Sequence, residues 1–83
     1  MDTKIIIKVY SSGQLLEPPY TAKDNQEKDR ILDEIKEKLK NKEFKVRAGL
    51  GEIVTDVVCV DIFVPVIDDG ELKYKFIELN FKS

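Results

Sequence analysis

The chain of 83 residues contains no histidine and a single cysteine, Cys59, and these two counts limit its chemistry. Without an imidazole it forms neither a catalytic triad with a histidine base nor a zinc site with histidine ligands. Cys59 lies within the apolar residues 57–60, where a small side chain suits a strand, so we expect an inert, partly buried thiol. A lone cysteine also excludes a secreted scaffold held by internal disulfides.

The strongest candidate for a reactive or metal-binding site is a pair of carboxylates, Asp61 and Glu78. If residues 68–71 form a tight turn, Asp61 lies directly opposite Glu78 on the returning strand, beside Cys59. Facing carboxylates repel, so the pair needs a cation, a shared proton or full hydration. One hypothesis is therefore a divalent metal site or an acid/base pair at Asp61 and Glu78. A hydrated surface pair offset by a lysine such as Lys82 is the interpretation we favour, so the sequence predicts no metal, no cofactor and no enzyme.

Other short motifs indicate structure rather than chemistry. Gly49-Leu50-Gly51 has neither the following helix nor the lysine of a phosphate-binding loop, which predicts a simple turn. Pro18-Pro19 is too short for a polyproline helix and is typical of a rigid connector. Lysines between residues 28 and 40 are interrupted by acids, so this segment predicts a solvated face. A nucleic-acid-associated protein using lysines of the helix or the sheet is kept as an alternative.

Composition predicts one small folded domain covering residues 1–83. Hydrophobic residues make up 42% and charged residues 36%, as in a globular domain with a charged exterior. Lys and Arg number 14 against 16 acids, and the net charge of -2 argues against non-specific binding to nucleic acid or anionic membrane. The apolar stretch near the N-terminus is too short for a signal peptide or a membrane span, which predicts a cytoplasmic protein.

The first half of the chain predicts a strand, a connector and a helix. Residues 4–10 alternate as a half-buried strand does, Leu15-Leu16 suggests a short second strand, and residues 17–23 are interpreted as an extended connector. The helix begins after Asp24, which caps it with Glu27 three residues later. Its apolar stripe consists of Ile31, Leu32, Ile35 and Leu39, which recur at helical spacing. We expect Glu34 and Lys38 to form an ion pair on its surface, and Asn41 to end the helix in the left-handed conformation.

The second half predicts strands only. Residues 43–48 alternate and lead through a loop at residues 49–52 into a long apolar run, residues 53–67, interpreted as one central strand. Lys45 is expected to face Asp56 across the first hairpin. The fold predicted is α+β, one amphipathic helix on one face of a mainly antiparallel four- to five-stranded sheet, in the order β-(β)-α-β-β-β.

The register of the second hairpin follows from its turn. A two-residue turn at Asp69-Gly70 sets residues 62, 60 and 58 opposite residues 77, 79 and 81 on the face that the helix covers. A three-residue turn with a bulge would shift the pairing by one and is ranked lower, since burying the same residues would need another bulge. The preferred register gathers six further residues on the opposite face near the turn: Phe63, Pro65, Ile67, Leu72, Tyr74 and Phe76.

One helix of about 25 Å covers a single sheet face, so these six side chains require other contacts. They form either an interface for a second copy or another protein, or the rest of the core, if sheet twist brings them beneath residues 15–20. The function that we predict is a non-enzymatic protein-binding module of the adaptor or inhibitor type that bacteria and phages use, including self-association through the sheet. Its alternatives are the nucleic-acid-associated protein and the metal site at Asp61 and Glu78.

Overall fold

The computed structural model describes residues 3–83, which form seven strands and one helix. No helix in this part of the chain is long and apolar enough to cross a lipid bilayer. The elements are β1 (Ile5–Ser11), β2 (Gln14–Leu15), β3 (Tyr20–Ala22), α1 (Asn25–Lys40), β4 (Lys45–Ala48), β5 (Gly51–Val54), β6 (Val57–Asp68) and β7 (Glu71–Lys82).

The main sheet has five strands and is antiparallel throughout. β6 lies between β1 and β7, and β2 and β3 follow one another along the other edge of β1. Pro18 and Pro19 separate β2 from β3, since proline has no backbone N–H for the ladder. β4 and β5 form a separate two-stranded sheet. The predicted α+β class, with one helix on a mainly antiparallel sheet, is confirmed.

The core lies between α1 and one face of the main sheet. Ile31, Ile35 and Leu39 repeat at helical spacing, and alternate residues of β1 and β6 meet them because side chains alternate along a strand. These sheet residues are fully or almost fully buried: Ile5, Ile7, Val9, Val58, Val60 and Ile62. Leu32, which sequence periodicity also placed on the stripe, is partly buried against the core.

The helix begins as predicted but ends differently. The Asp24 side chain accepts a hydrogen bond of 2.8 Å from the Glu27 backbone N–H, which satisfies one free donor of the first turn. Asn41 was expected to take the left-handed conformation, but its φ is -83° and Lys42 takes that conformation with φ 60°. The Asn41 N–H still bonds to the Glu37 carbonyl, so helical hydrogen bonding continues through Asn41 and the chain reverses one residue later.

The predicted connector, residues 17–23, contains the strand β3 and is tied to the helix by a polar cluster. Lys38 Nζ lies 3.1 Å from Glu17 Oε2 and 3.0 Å from Tyr20 Oη, and the Tyr20 hydroxyl donates to the other Glu17 oxygen. Lys38 therefore pairs with Glu17 rather than with Glu34 as predicted. The hydrogen bond to Tyr20 and the charge of Glu17 raise the pKa of Lys38, while burial and Glu17 raise the pKa of Tyr20.

The prediction of one strand over residues 53–67 is wrong, because its first two residues belong to another hairpin. β5 folds back on β4 and places Val54 opposite Lys45, so the predicted Lys45–Asp56 pairing does not form. Thr55 ends this hairpin by donating its backbone N–H to the Phe44 carbonyl at 3.0 Å. β6 begins at Val57, after this break, and then runs without interruption to the turn.

Candidate protein interface

The hairpin of β6 and β7 extends beyond the rest of the sheet. β1 pairs with β6 only as far as Phe63, whereas β6 and β7 continue to pair up to Asp68 and Glu71. We call residues 64–75 the arm. Its five residue pairs correspond to about 17 Å of two-stranded ribbon, which accounts for much of the elongated shape of 48 × 24 × 19 Å.

A two-residue turn fixes the register of the arm. Asp69 and Gly70 both have positive φ, 51° and 77°, as a type I′ turn requires, and its twist matches that of the flanking strands. Asp68 therefore faces Glu71, and every pair predicted from the two-residue turn is observed, including Ile62 with Ile77. The bulged alternative with its shifted pairing does not occur.

The face of this hairpin that α1 does not cover, which we call the open face, carries the six predicted residues. Ile67 is 72% exposed, Phe76 53%, Tyr74 49% and Leu72 41%, while Phe63 and Pro65 are partly buried. The four exposed side chains take no part in the core of a single chain, so sheet twist does not bring them beneath residues 15–20. Whether they bind a partner stays a prediction.

Aromatic contacts shape the open face where the arm joins the sheet. The Phe63 and Phe76 rings lie 5.3 Å apart at a tilt of 58°, within the range of favourable edge-to-face packing. Lys8 Nζ lies 5.5 Å from the Phe63 ring centre, close enough for a cation–π contact. Lys8 also stands opposite Asp61 in the β1–β6 register.

A concave site of about 200 Å³, which we call the notch, opens beside the arm. It is lined by Ile6 and Lys8 of β1, Phe63 of β6 and Tyr74 of β7. Sequence reasoning found the two aromatic residues but not Ile6 and Lys8. Their position on the outward side of the first strand was visible in the alternation of residues 4–10, yet only the pairing of β1 with β6 brings them together.

The predicted carboxylate pair lies further along the same face. Asp61 faces Glu78, and with Cys59 they offer three donor atoms that all lie within 4.8 Å of one another. The Cys59 thiol donates to Asp61 Oδ1 across 3.5 Å. Burial first, and then hydrogen bonds to Glu78 and Asp61, raise the pKa of Cys59 to about 11. This supports the predicted inert thiol, and a metal site at Asp61 and Glu78 stays a hypothesis.

The raised pKa makes a prediction about thiol reactivity. The thiolate is the reactive form, so we expect iodoacetamide to alkylate Cys59 at pH 8 about tenfold more slowly than the urea-unfolded chain. The rate should rise with pH through about 11, the pKa of the folded thiol. In Asp61→Asn the rate should increase a few-fold, because one negative neighbour is removed while burial remains. Equal rates for the folded and unfolded chains would contradict this environment.

Three lysines lie together beside the helix, away from the open face. Lys36, Lys40 and Lys82 line a concavity of about 360 Å³ between the end of α1 and the end of β7. Lys36 Nζ lies 5.0 Å from the Phe81 ring, which forms part of this site. This surface, and not the open face, is where the nucleic-acid alternative finds its support.

No protein-family model, curated protein or solved structure matches the chain. Function is therefore inferred from the geometry of residues 3–83.

Proposed function

We propose that the chain is a non-enzymatic protein-binding module that contacts its partner through the open face of the arm. The observation that supports this best is six neighbouring uncharged side chains on the open face, of which four lie on the arm and Phe63 and Phe76 lie at its base. Four of the six are between 41% and 72% exposed. Contiguous apolar patches of this kind are characteristic of contact sites in folded proteins. An adaptor or an inhibitor acts by contact alone and needs no catalytic group.

The exposed rings supply most of the binding free energy in this proposal. Tyr74 and Phe76 are each about half exposed, which corresponds to roughly 100 Å² per side chain. Removing that area from water contributes about 2 to 3 kcal/mol per ring before the costs of association are counted. Both rings lie in adjacent rows of the ribbon, so one partner surface covers them together.

The opposite face of the arm has a different character, which restricts binding to one side. Val64 and Val66 alternate there with charged residues of β7, and Lys73 forms a 3.1 Å salt bridge with Asp68. Lys75 also lies on this side, opposite Val64. Charged side chains keep this face hydrated and so favour the open face for contact.

The proposal places this module in a bacterial or phage-infected cytoplasm, a reducing compartment that suits a chain with one free cysteine. The concavity at Lys36, Lys40 and Lys82 supports nucleic-acid association as a second candidate function. Retention on heparin and a mobility shift with RNA or DNA, both lost at moderate salt, would favour that candidate.

Site-specific photo-crosslinking tests the contact face. With p-benzoylphenylalanine in place of Tyr74, irradiation of cells that express the chain should give discrete covalent adducts with a protein, identified by mass spectrometry. The adducts form because the probe stands on the open face, within reach of any bound partner.

The matched control carries the same probe at Lys73, the neighbouring residue on the opposite face of the same strand. It should give few or none of these adducts. Equal adducts from both positions, or none from position 74, would count against the open face as a binding surface.

A further inference from the structure

We propose that the partner of the arm is a second copy of this chain, packed open face against open face about a two-fold axis at the Pro65–Tyr74 pair. This inference rests on the proposed function, whose partner it names. Sheets that meet face to face lie about 10 Å apart with their strands within about 30° of each other. The arm of each chain thereby covers the open face of the other chain, which that chain's helix leaves exposed.

The rows of the arm match themselves under this axis. A two-fold at Pro65 brings Ile67 of one chain over Phe63 of the other, two residues on either side of the axis. The same operation on β7 brings Leu72 over Phe76. An aliphatic side chain from the tip therefore meets an aromatic side chain from the base four times in the dimer, and Tyr74, the one side chain of the six with a polar atom, meets its own copy at the axis.

The notch provides a receptor for the tip. Ile67 is the most exposed of the six residues at 72%, and the row on which it lands contains Phe63, a wall of the notch. A space of about 150 Å³ holds a group the size of benzene, so the notch of about 200 Å³ accepts an isoleucine side chain. Ile6 and Tyr74 complete the apolar walls.

Charge does not oppose contact between the apolar rows. None of the six residues is an aspartate, glutamate, lysine, arginine or histidine, so two copies meet without repulsion across the apolar rows. The tip residue Asp69 reaches the level of Lys8, Asp61 and Glu78, where two carboxylates outnumber one lysine, so the ends of the contact repel weakly and help to keep the dimer weak. A highly charged foreign partner finds no complementary charge among the six residues, whereas a second copy presents matching apolar rows.

The available area indicates a weak dimer. A standard interface buries about 800 Å² on each partner, and weak or transient ones bury less than about 600 Å². The two half-exposed rings, the tip residues and the rim of the notch place this face near the lower value. We therefore expect a dissociation constant of about 1 to 100 µM that changes little with sodium chloride concentration.

Isotope-filtered NMR on an equimolar mixture of labelled and unlabelled chains tests the contact. We expect intermolecular NOEs between the Ile67 methyl groups and the Phe63 ring, and between the Leu72 methyl groups and the Phe76 ring. Within one chain Ile67 and Phe63 lie about 13 Å apart along the strand, beyond NOE range. A dimer whose NOEs run along the outer edge of β7 would overturn the proposed arrangement.

Sedimentation of two neighbouring variants completes the test. Ile67→Lys should weaken the dimer about 100-fold, because each of two symmetric contacts loses about tenfold. Val66→Lys, on the opposite face, should change the constant by less than about threefold. A wild-type chain that is monomeric at 1 mM, yet photo-crosslinks to another protein from position 74, would overturn the dimer and leave the proposed function standing. A monomer without any crosslink would overturn both.

Discussion

Replacing Phe76 with aspartate is expected to abolish association through the arm while the chain remains folded. Each copy loses a half-exposed ring worth about 2 to 3 kcal/mol and gains a carboxylate in an apolar contact, so the dissociation constant should rise more than about a thousandfold. The folded monomer loses the ring contact with Phe63, which costs only about 1 kcal/mol. Light scattering and urea unfolding measure the two effects.

Ile77→Asp is the matched control, since it changes the next residue on the same strand. Its side chain lies on the face that α1 covers and packs against the core, so a carboxylate there should prevent folding. If Phe76→Asp unfolds in the same way, the ring belongs to the core and the interface is refuted. A folded Phe76→Asp protein that associates like the wild type would refute it as well.

Ile35→Ala is expected to cause the largest loss of stability among conservative substitutions in the helix. Ile35 is fully buried at the centre of the helix stripe, and truncating such a residue leaves a cavity in a closely packed core. The free energy of unfolding should fall by about 3 kcal/mol, which is a large fraction of the roughly 4 to 12 kcal/mol typical of a chain of this length. Urea unfolding monitored by circular dichroism gives this value from the midpoint and the slope.

Asp33→Ala serves as the control for Ile35→Ala on the same helix. Asp33 is exposed, and alanine is the better helix former, so the free energy of unfolding should change by less than about 0.5 kcal/mol. A loss below about 1 kcal/mol in Ile35→Ala would mean that the helix does not pack on the sheet as described.

The second hairpin could be predicted in full because its two-residue turn determines which residues of β6 and β7 face each other. Asp69-Gly70 accepts the two positive φ angles of a type I′ turn, and strand alternation then assigns every residue between Val58 and Phe81 to a face. The open face emerged from the same parity, with Asp61 opposite Glu78 and Phe63 opposite Phe76.

The first hairpin and the connector could be predicted only in part, because their contacts are distant in sequence. Thr55-Asp56 interrupts the apolar run with two polar residues, but this pair alone does not distinguish a break from solvent-facing positions of one strand; the break is set by bonds to the Phe44 carbonyl and the Ser11 hydroxyl. β3 exists because residues 20–22 find the free edge of β1. Lys38 meets Glu17 across 21 positions of sequence, beyond any local pairing rule.

The candidate site was predictable as a list of residues but not as a shape. The six apolar residues follow from hairpin parity, whereas the notch needs Ile6 and Lys8 beside them. That neighbourhood depends on β1 inserting next to β6, a long-range pairing with no local signature.

The outer edge of β7 has no strand partner within residues 3–83, so it offers backbone hydrogen bonds to any extended chain. Its twelve residues include Glu71, Lys73, Lys75, Glu78 and Lys82. In a parallel, in-register cross-β stack each of these charged side chains would lie about 4.8 Å from the same side chain of the next copy and would repel it. The antiparallel alignment that best matches Leu72 with Phe76 sets Lys73 against Lys75. The strand that presents so much apolar surface on one face is thus protected against growth into amyloid fibrils by the charges spaced along it.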